Sequence, residues 1–241
     1  MHMNLSDVVW ALGQALQLLA AAPWAWLGLV LAYLLVVESL MFVPRVGFVL
    51  KLWAASLGQA PVLAIAALLA AGPAASGLAM WQAGTQALAQ PPASQAALAL
   101  GPLLAFAAGL VLLWRRAGTV PLRFFFGNVL RDAPPAKHDF LAFKLVMHGA
   151  GLPFVFVPAA VVLAGRPGWD GLWHGLTLAW AHPWALGVLG LAGVMFERLS
   201  ARLATRLPRP WSGLALVPLL LGFVGLSFAW LYALSALAVA R

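Results

Sequence analysis

Residues 213–240 read GLALVPLLLGFVGLSFAWLYALSALAVA, twenty-eight consecutive positions without an Asp, Glu, Lys or Arg. A helix crosses the hydrocarbon core of a bilayer with about 20 apolar residues. A charge-free stretch of this length therefore reads as a spanning helix. Pro218, Gly222 and Gly225 within it are tolerated in lipid, where neighbouring helices satisfy the freed backbone.

The same signal recurs upstream. Spans are expected over about 24–43, 46–72, 96–114, 141–164, 173–196 and 213–240. Prolines stand inside the fourth (Pro153, Pro158) and fifth (Pro183). Composition agrees: 64% of the 241 residues are hydrophobic and 8% charged, against about a quarter charged in a soluble domain. So few ionisable side chains cannot hydrate the surface of a globule this size. That excludes ordinary soluble enzymes and nucleic-acid-binding domains, and disorder with them. The expected fold is all-α, one integral membrane domain over 1–241, a polytopic bundle of six spans. The chain has no cysteine, so thiol and disulfide chemistry is absent.

Residues 5–21 are ambiguous. Leu5, Val8, Val9, Leu12, Leu16 and Leu19 fall on one side; Ser6, Asp7, Gly13, Gln14 and Gln17 fall mostly on the other. That predicts an amphipathic helix lying in the interface; a seventh, short span is the alternative. Asn4 or Ser6 is the expected cap. Residues 73–95, free of charge and with Gln82, Gln86 and Gln90 at four-residue spacing, suggest a second interfacial or re-entrant piece.

The basic residues are sorted. Arg45 and Lys51 flank the first connection, six lie between Arg115 and Lys144, and Arg198, Arg202, Arg206 and Arg209 follow the fifth span. Only Arg166 and Arg241 fall on the other side. The positive-inside rule places loops 115–140 and 197–212 in the cytoplasm and the C-terminus in the periplasm of a bacterial inner membrane. The Ala- and Leu-rich composition fits that membrane.

Ionisable residues inside a bilayer are functional candidates. Glu38 falls about 21 Å into the first span, His148 about 10 Å into the fourth and His182 about 13 Å into the fifth, counted at 1.5 Å per residue. These depths allow convergence near the midplane, with Lys144 one turn before His148. A proton or cation site is one use of such a level. Axial ligation of a haem by His148 and His182 is another. The plainer alternatives are a Glu38 ion pair with Arg45 or Lys51, a snorkelling Lys144, and histidines bonded to carbonyls that prolines free.

The loop over 115–140 carries Arg115, Arg116, Arg123, Phe124, Phe125, Phe126 and Arg131. Phenylalanines among arginines suit a segment dipping into headgroups while Arg holds lipid phosphates. They would equally suit a docked protein partner; nucleic acid does not fit them. No phosphate-binding glycine loop, zinc-protease HExxH or hydrolase GxSxG occurs, and no histidine cluster suggests a metal.

The expected function is a small permease, channel or lipid-handling transport protein. A non-catalytic accessory or assembly subunit of a larger membrane complex is the alternative, and a haem-binding or membrane-embedded enzyme the third. The sequence leans away from an enzyme.

Overall fold

A computed structural model describes residues 3–72, 74–127, 136–206 and 211–240. It is helical over 88% of its length, with no strand among the described residues. Among the described residues eleven helices follow in order: α1 Leu5–Ala21, α2 Pro23–Ser39, α3 Gly47–Ala71, α4 Gly77–Leu88, α5 Pro92–Ala117, α6 Val120–Phe126, α7 Lys137–Gly151, α8 Val157–Val162, α9 Gly168–Ala181, α10 Pro183–Arg206 and α11 Trp211–Ala240. Six stretches of the described residues are long and apolar enough to cross a membrane: Pro23–Phe42, Gly47–Ala71, Pro92–Ala117, His138–Val162, Pro183–Leu203 and Ala215–Ala240. The chain is a multi-pass membrane protein.

Prolines set the breaks. α7 stops at Gly151, a 3-10 turn covers Leu152–Phe154 around Pro153, and α8 resumes with Pro158 in its first turn. The expected span over 173–196 is corrected in the same way. The helix ends at Ala181, and Pro183 starts a new one. Proline has no N–H to lose at a helix start; Pro61, Pro102 and Pro218, by contrast, are carried inside α3, α5 and α11 without a break. The fifth candidate span is therefore Pro183–Leu203. α9 is a separate helix, packed on α8 and α5.

α9 is held by three glycines. Gly168 has φ +57° and donates its N–H to Ser94 Oγ at 2.8 Å. Gly171 lies on the Arg166 carbonyl, and Gly175 on Val157, where an added Cβ would come within 2.5 Å of Cα. α4 packs on α3 with Gly84 over Pro61 and Ile65. Together α4, α9 and the start of α10 expose Trp81, Trp169, Trp173, Trp180 and Trp184.

The bundle is assembled from antiparallel pairs. On α5, Gly101 faces Phe154, Ala105 faces Gly151, and Gly109 faces Phe143 and Met147. Small residues at four-residue spacing let α7 come close. α10 uses Gly190 against Leu152 and Gly193 against His148. These glycine faces are occupied within the chain.

α1 carries the expected cap at Asn4, in full reciprocal form. Asn4 Oδ1 accepts from the Asp7 N–H and the Asp7 carboxylate accepts from the Asn4 N–H. The helix lies against α11, with the Trp230 indole donating to the Val8 carbonyl. Its buried face is Val8, Ala11 and Ala15, while Leu5, Val9 and Leu16 point outward. The apolar side read from the sequence is thus split: Leu5, Val9 and Leu16 are exposed, Val8 is buried, and Leu12 and Leu19 are partly buried against the core. Close helix contact selects small residues, and a bilayer accepts the large ones.

Candidate functional site: a polar seam between α7 and α10

Lys144 and Glu197 each lie six residues inside the same-side end of their spans, His138–Val162 and Pro183–Leu203. At 1.5 Å per residue that is a common depth of about 9 Å. Lys144 Nζ meets Glu197 Oε2 at 2.8 Å. The ammonium also stands 5.4 Å from the Phe140 ring centroid, over its electron-rich face. The Lys144 side chain is 38% exposed and that of Glu197 13%.

One turn further along α7, the exposed His148 places Nδ1 2.9 Å from the Lys144 carbonyl. A carbonyl only accepts, so Nδ1 carries the proton, and in the neutral ring Nε2 is left as an acceptor. The imidazole rests on Gly193, where a Cβ would come within 2.7 Å of Cδ2. The seam therefore presents a partly exposed cation and an exposed imidazole along two antiparallel helices, with the anion largely enclosed between them.

The other sequence candidates lie elsewhere. Glu38 pairs with Lys51, Nζ to Oε2 2.6 Å, with its carboxylate half exposed at the end of α2. It takes the plain ion-pair role. His182 is buried between α9 and α10, where Nδ1 accepts the Met3 N–H at 3.1 Å and the ring meets Phe156 edge-on. His148 abuts Gly193, eleven residues along α10 from His182. That separates the imidazoles by about 16 Å along the helix, against about 4 Å for two nitrogens across one metal. The expected convergence of Glu38, His148 and His182 does not form, and His148 and His182 do not frame a haem. No group of three His, Asp or Glu side chains suited to a metal occurs among the described residues.

The Phe-rich loop is also rearranged. Phe124 and Phe125 are buried rather than turned to lipid. Phe125 lies within 4.5–6.5 Å, centroid to centroid, of Phe48, Phe106, Phe124, Phe140 and Phe143. α6 is thereby pinned to α3, α5 and α7. Phe126 stays 41% exposed, and Arg115, Arg116 and Arg123 are exposed. Arg116 faces the Asp139 carboxylate at 3.8 Å, with His138 at 3.4 Å from it. Arg131 lies outside the described residues.

Glu197 is the residue that sequence reasoning missed. It fell one position past a span ended at 196. Pro183 as a helix start was the available signal, because the shifted span takes Glu197 inside.

Comparison of the chain with protein-family models, curated proteins and solved structures finds no match.

Proposed function

We propose that this multi-pass membrane protein is a lipid-handling transport protein whose cargo is an amphiphile dissolved in the bilayer. One observation carries the proposal: Lys144, His148 and Glu197 cluster on an outward seam between α7 and α10. The interior, by contrast, is filled by side chains such as Phe125, Phe143, Phe156, Leu63, Leu113 and Leu234. A headgroup moving along the seam would exchange contacts with the paired charges while its chains stay in lipid. A water-soluble permeant would instead need polar groups lining the interior.

In this proposal the basic ends, with α6 and the C-terminal part of α10, face the cytoplasm of a bacterial inner membrane. The Trp-bearing α4 and α9 lie at the opposite interface, where indoles are favoured. Cysteine labelling tests the orientation: Gln86→Cys is expected to react from outside and Thr119→Cys only after permeabilisation.

The function is tested in reconstituted vesicles carrying a headgroup-labelled fluorescent phospholipid and an external quencher. Wild-type protein is expected to expose inner-leaflet label at least ten times faster than protein-free vesicles, and Lys144→Met/Glu197→Met to lose most of that gain. Equal rates for protein-containing and empty vesicles would remove the proposal. The accessory-subunit alternative rests on only 11% of the Pro183–Leu203 window being buried. A protein that moves lipid alone argues against it.

A further inference from the structure

Arg45 is the only non-glycine residue with positive φ among those described, at 69°. Glycine takes this left-handed conformation without strain, whereas a residue with a Cβ does not. Strained backbone of this kind concentrates where a side chain is needed in place. The turn is fixed from outside itself: the Arg45 N–H donates to the carbonyl of Gly127, the residue that closes α6, at 3.0 Å. Arg123 stands one helical turn before Gly127. Two segments some 80 residues apart in sequence thus bring two exposed arginines to one end of the bundle.

Among the described residues, these guanidinium groups have no carboxylate of their own. Among the described residues, Glu38 pairs with Lys51, Asp139 with Arg116 and His138, and Glu197 with Lys144. No described carboxylate pairs with Arg45 or Arg123. Around them the surface is apolar, with Phe42 66%, Val46 50% and Phe126 41% exposed. Both segments join the ends of candidate spans, Phe42 to Gly47 and Ala117 to His138. That places the patch where hydrocarbon gives way to headgroups.

We propose that the Pro44–Arg45 turn and α6 form a binding site for the headgroup of an anionic phospholipid, with Arg45 and Arg123 as its phosphate donors. Planar guanidinium forks match phosphate oxygens in pairs. Phe42, Val46 and Phe126 would lie beside the upper acyl chains. Two cations that no described carboxylate pairs favour a headgroup with net negative charge over a zwitterionic one. The buried Phe125 sets the position of α6, and so of Arg123. The site is separate from the α7–α10 seam and stands whether or not the protein moves lipid.

The full chain in mixed micelles, offered phosphatidylglycerol and phosphatidylcholine in equal amounts, is analysed by native mass spectrometry and by thermal unfolding. Wild type is expected to retain phosphatidylglycerol at least tenfold over phosphatidylcholine, with a preference that falls with added salt. Arg45→Gly keeps the backbone N–H and relieves the strained turn. It is expected to lose most of the preference without a lower melting temperature. Arg123→Gln should lose it equally, while Arg123→Lys should keep part of it. Equal retention of both lipids by wild type overturns the proposal, as does an undiminished preference in Arg45→Gly/Arg123→Gln. So does inorganic phosphate that stabilises as well as phosphatidylglycerol, because the site would then serve a soluble anion.

Discussion

Lys144 and Glu197 offer an asymmetric test of the seam. At 2.8 Å and an effective dielectric near 20, their gross attraction is about 6 kcal/mol. Desolvation offsets much of it. The unequal exposure, 38% for Lys144 and 13% for Glu197, decides what each deletion leaves behind. Lys144→Met strands a carboxylate that is largely enclosed and whose two-methylene stem is shorter than the four of lysine. Loss of a buried partner costs about 3–5 kcal/mol, and the half-open side of this pair lowers the expectation to about 2–4. Glu197→Gln leaves an ammonium on four methylenes that can snorkel out, so about 1 kcal/mol is expected. Lys144→Met/Glu197→Met removes both charges and should come within about 1 kcal/mol of wild type, which means strong non-additivity. Reversible unfolding in mixed micelles of increasing denaturing detergent, followed by Trp fluorescence, measures all three. A Glu197→Gln loss equal to or above that of Lys144→Met, or a double variant equal to the sum of the singles, would refute the assignment of Glu197 as the enclosed partner.

Further outcomes follow from packing. Phe125→Ala, at the centre of the aromatic cluster, is expected to cost about 3–5 kcal/mol. Phe126→Ala, on the surface, should stay within about 0.5; the same unfolding assay reads both, and equal effects would mean that α6 is not anchored. Gly175→Ala drives a methyl into the Val157 backbone and should destabilise by about 1–3 kcal/mol. Gly187→Ala meets nothing within 4 Å and should gain up to about 1, a contrast visible as opposite shifts in melting temperature. Ser235 is fully buried with no hydrogen-bond partner for Oγ among the described residues. Ser235→Ala should therefore be neutral or stabilising by about 1 kcal/mol, and a clear loss in thermal unfolding would show that the hydroxyl has a partner.

The spanning character was legible because the bilayer acts on composition. Twenty apolar residues without charge have few other places to go, and 213–240 needs no partner to be recognised. The site was legible only in part. Lys144 and His148 stood out as ionisable groups inside an apolar stretch. Their partner Glu197 did not, because the fifth span was drawn through Pro183 and ended one residue short. Depth counting put Glu38 and His182 near His148. Depth is one coordinate of three, and the structure pairs Glu38 with Lys51 and His182 with Met3. The three phenylalanines of α6 read as one lipid-facing group. On a helix successive residues point about 100° apart, so Phe124 and Phe125 enter the core while Phe126 remains outside.

The sequence by itself determined that this chain is all-helical and multi-pass, since hydrophobic length and charge depletion are local properties that the solvent selects directly. Tertiary structure alone decided which face of each helix is buried. In a bilayer both faces are apolar, and hydrophobicity no longer separates inside from outside. The choice falls instead to shape: Gly101, Gly109 and Gly193 receive Phe154, Phe143 and His148, and on α1 Ala11 and Ala15 are buried while Leu5 and Leu16 turn outward. It also brought Arg45 beside α6 through one backbone hydrogen bond between distant segments, a contact that no sequence spacing records.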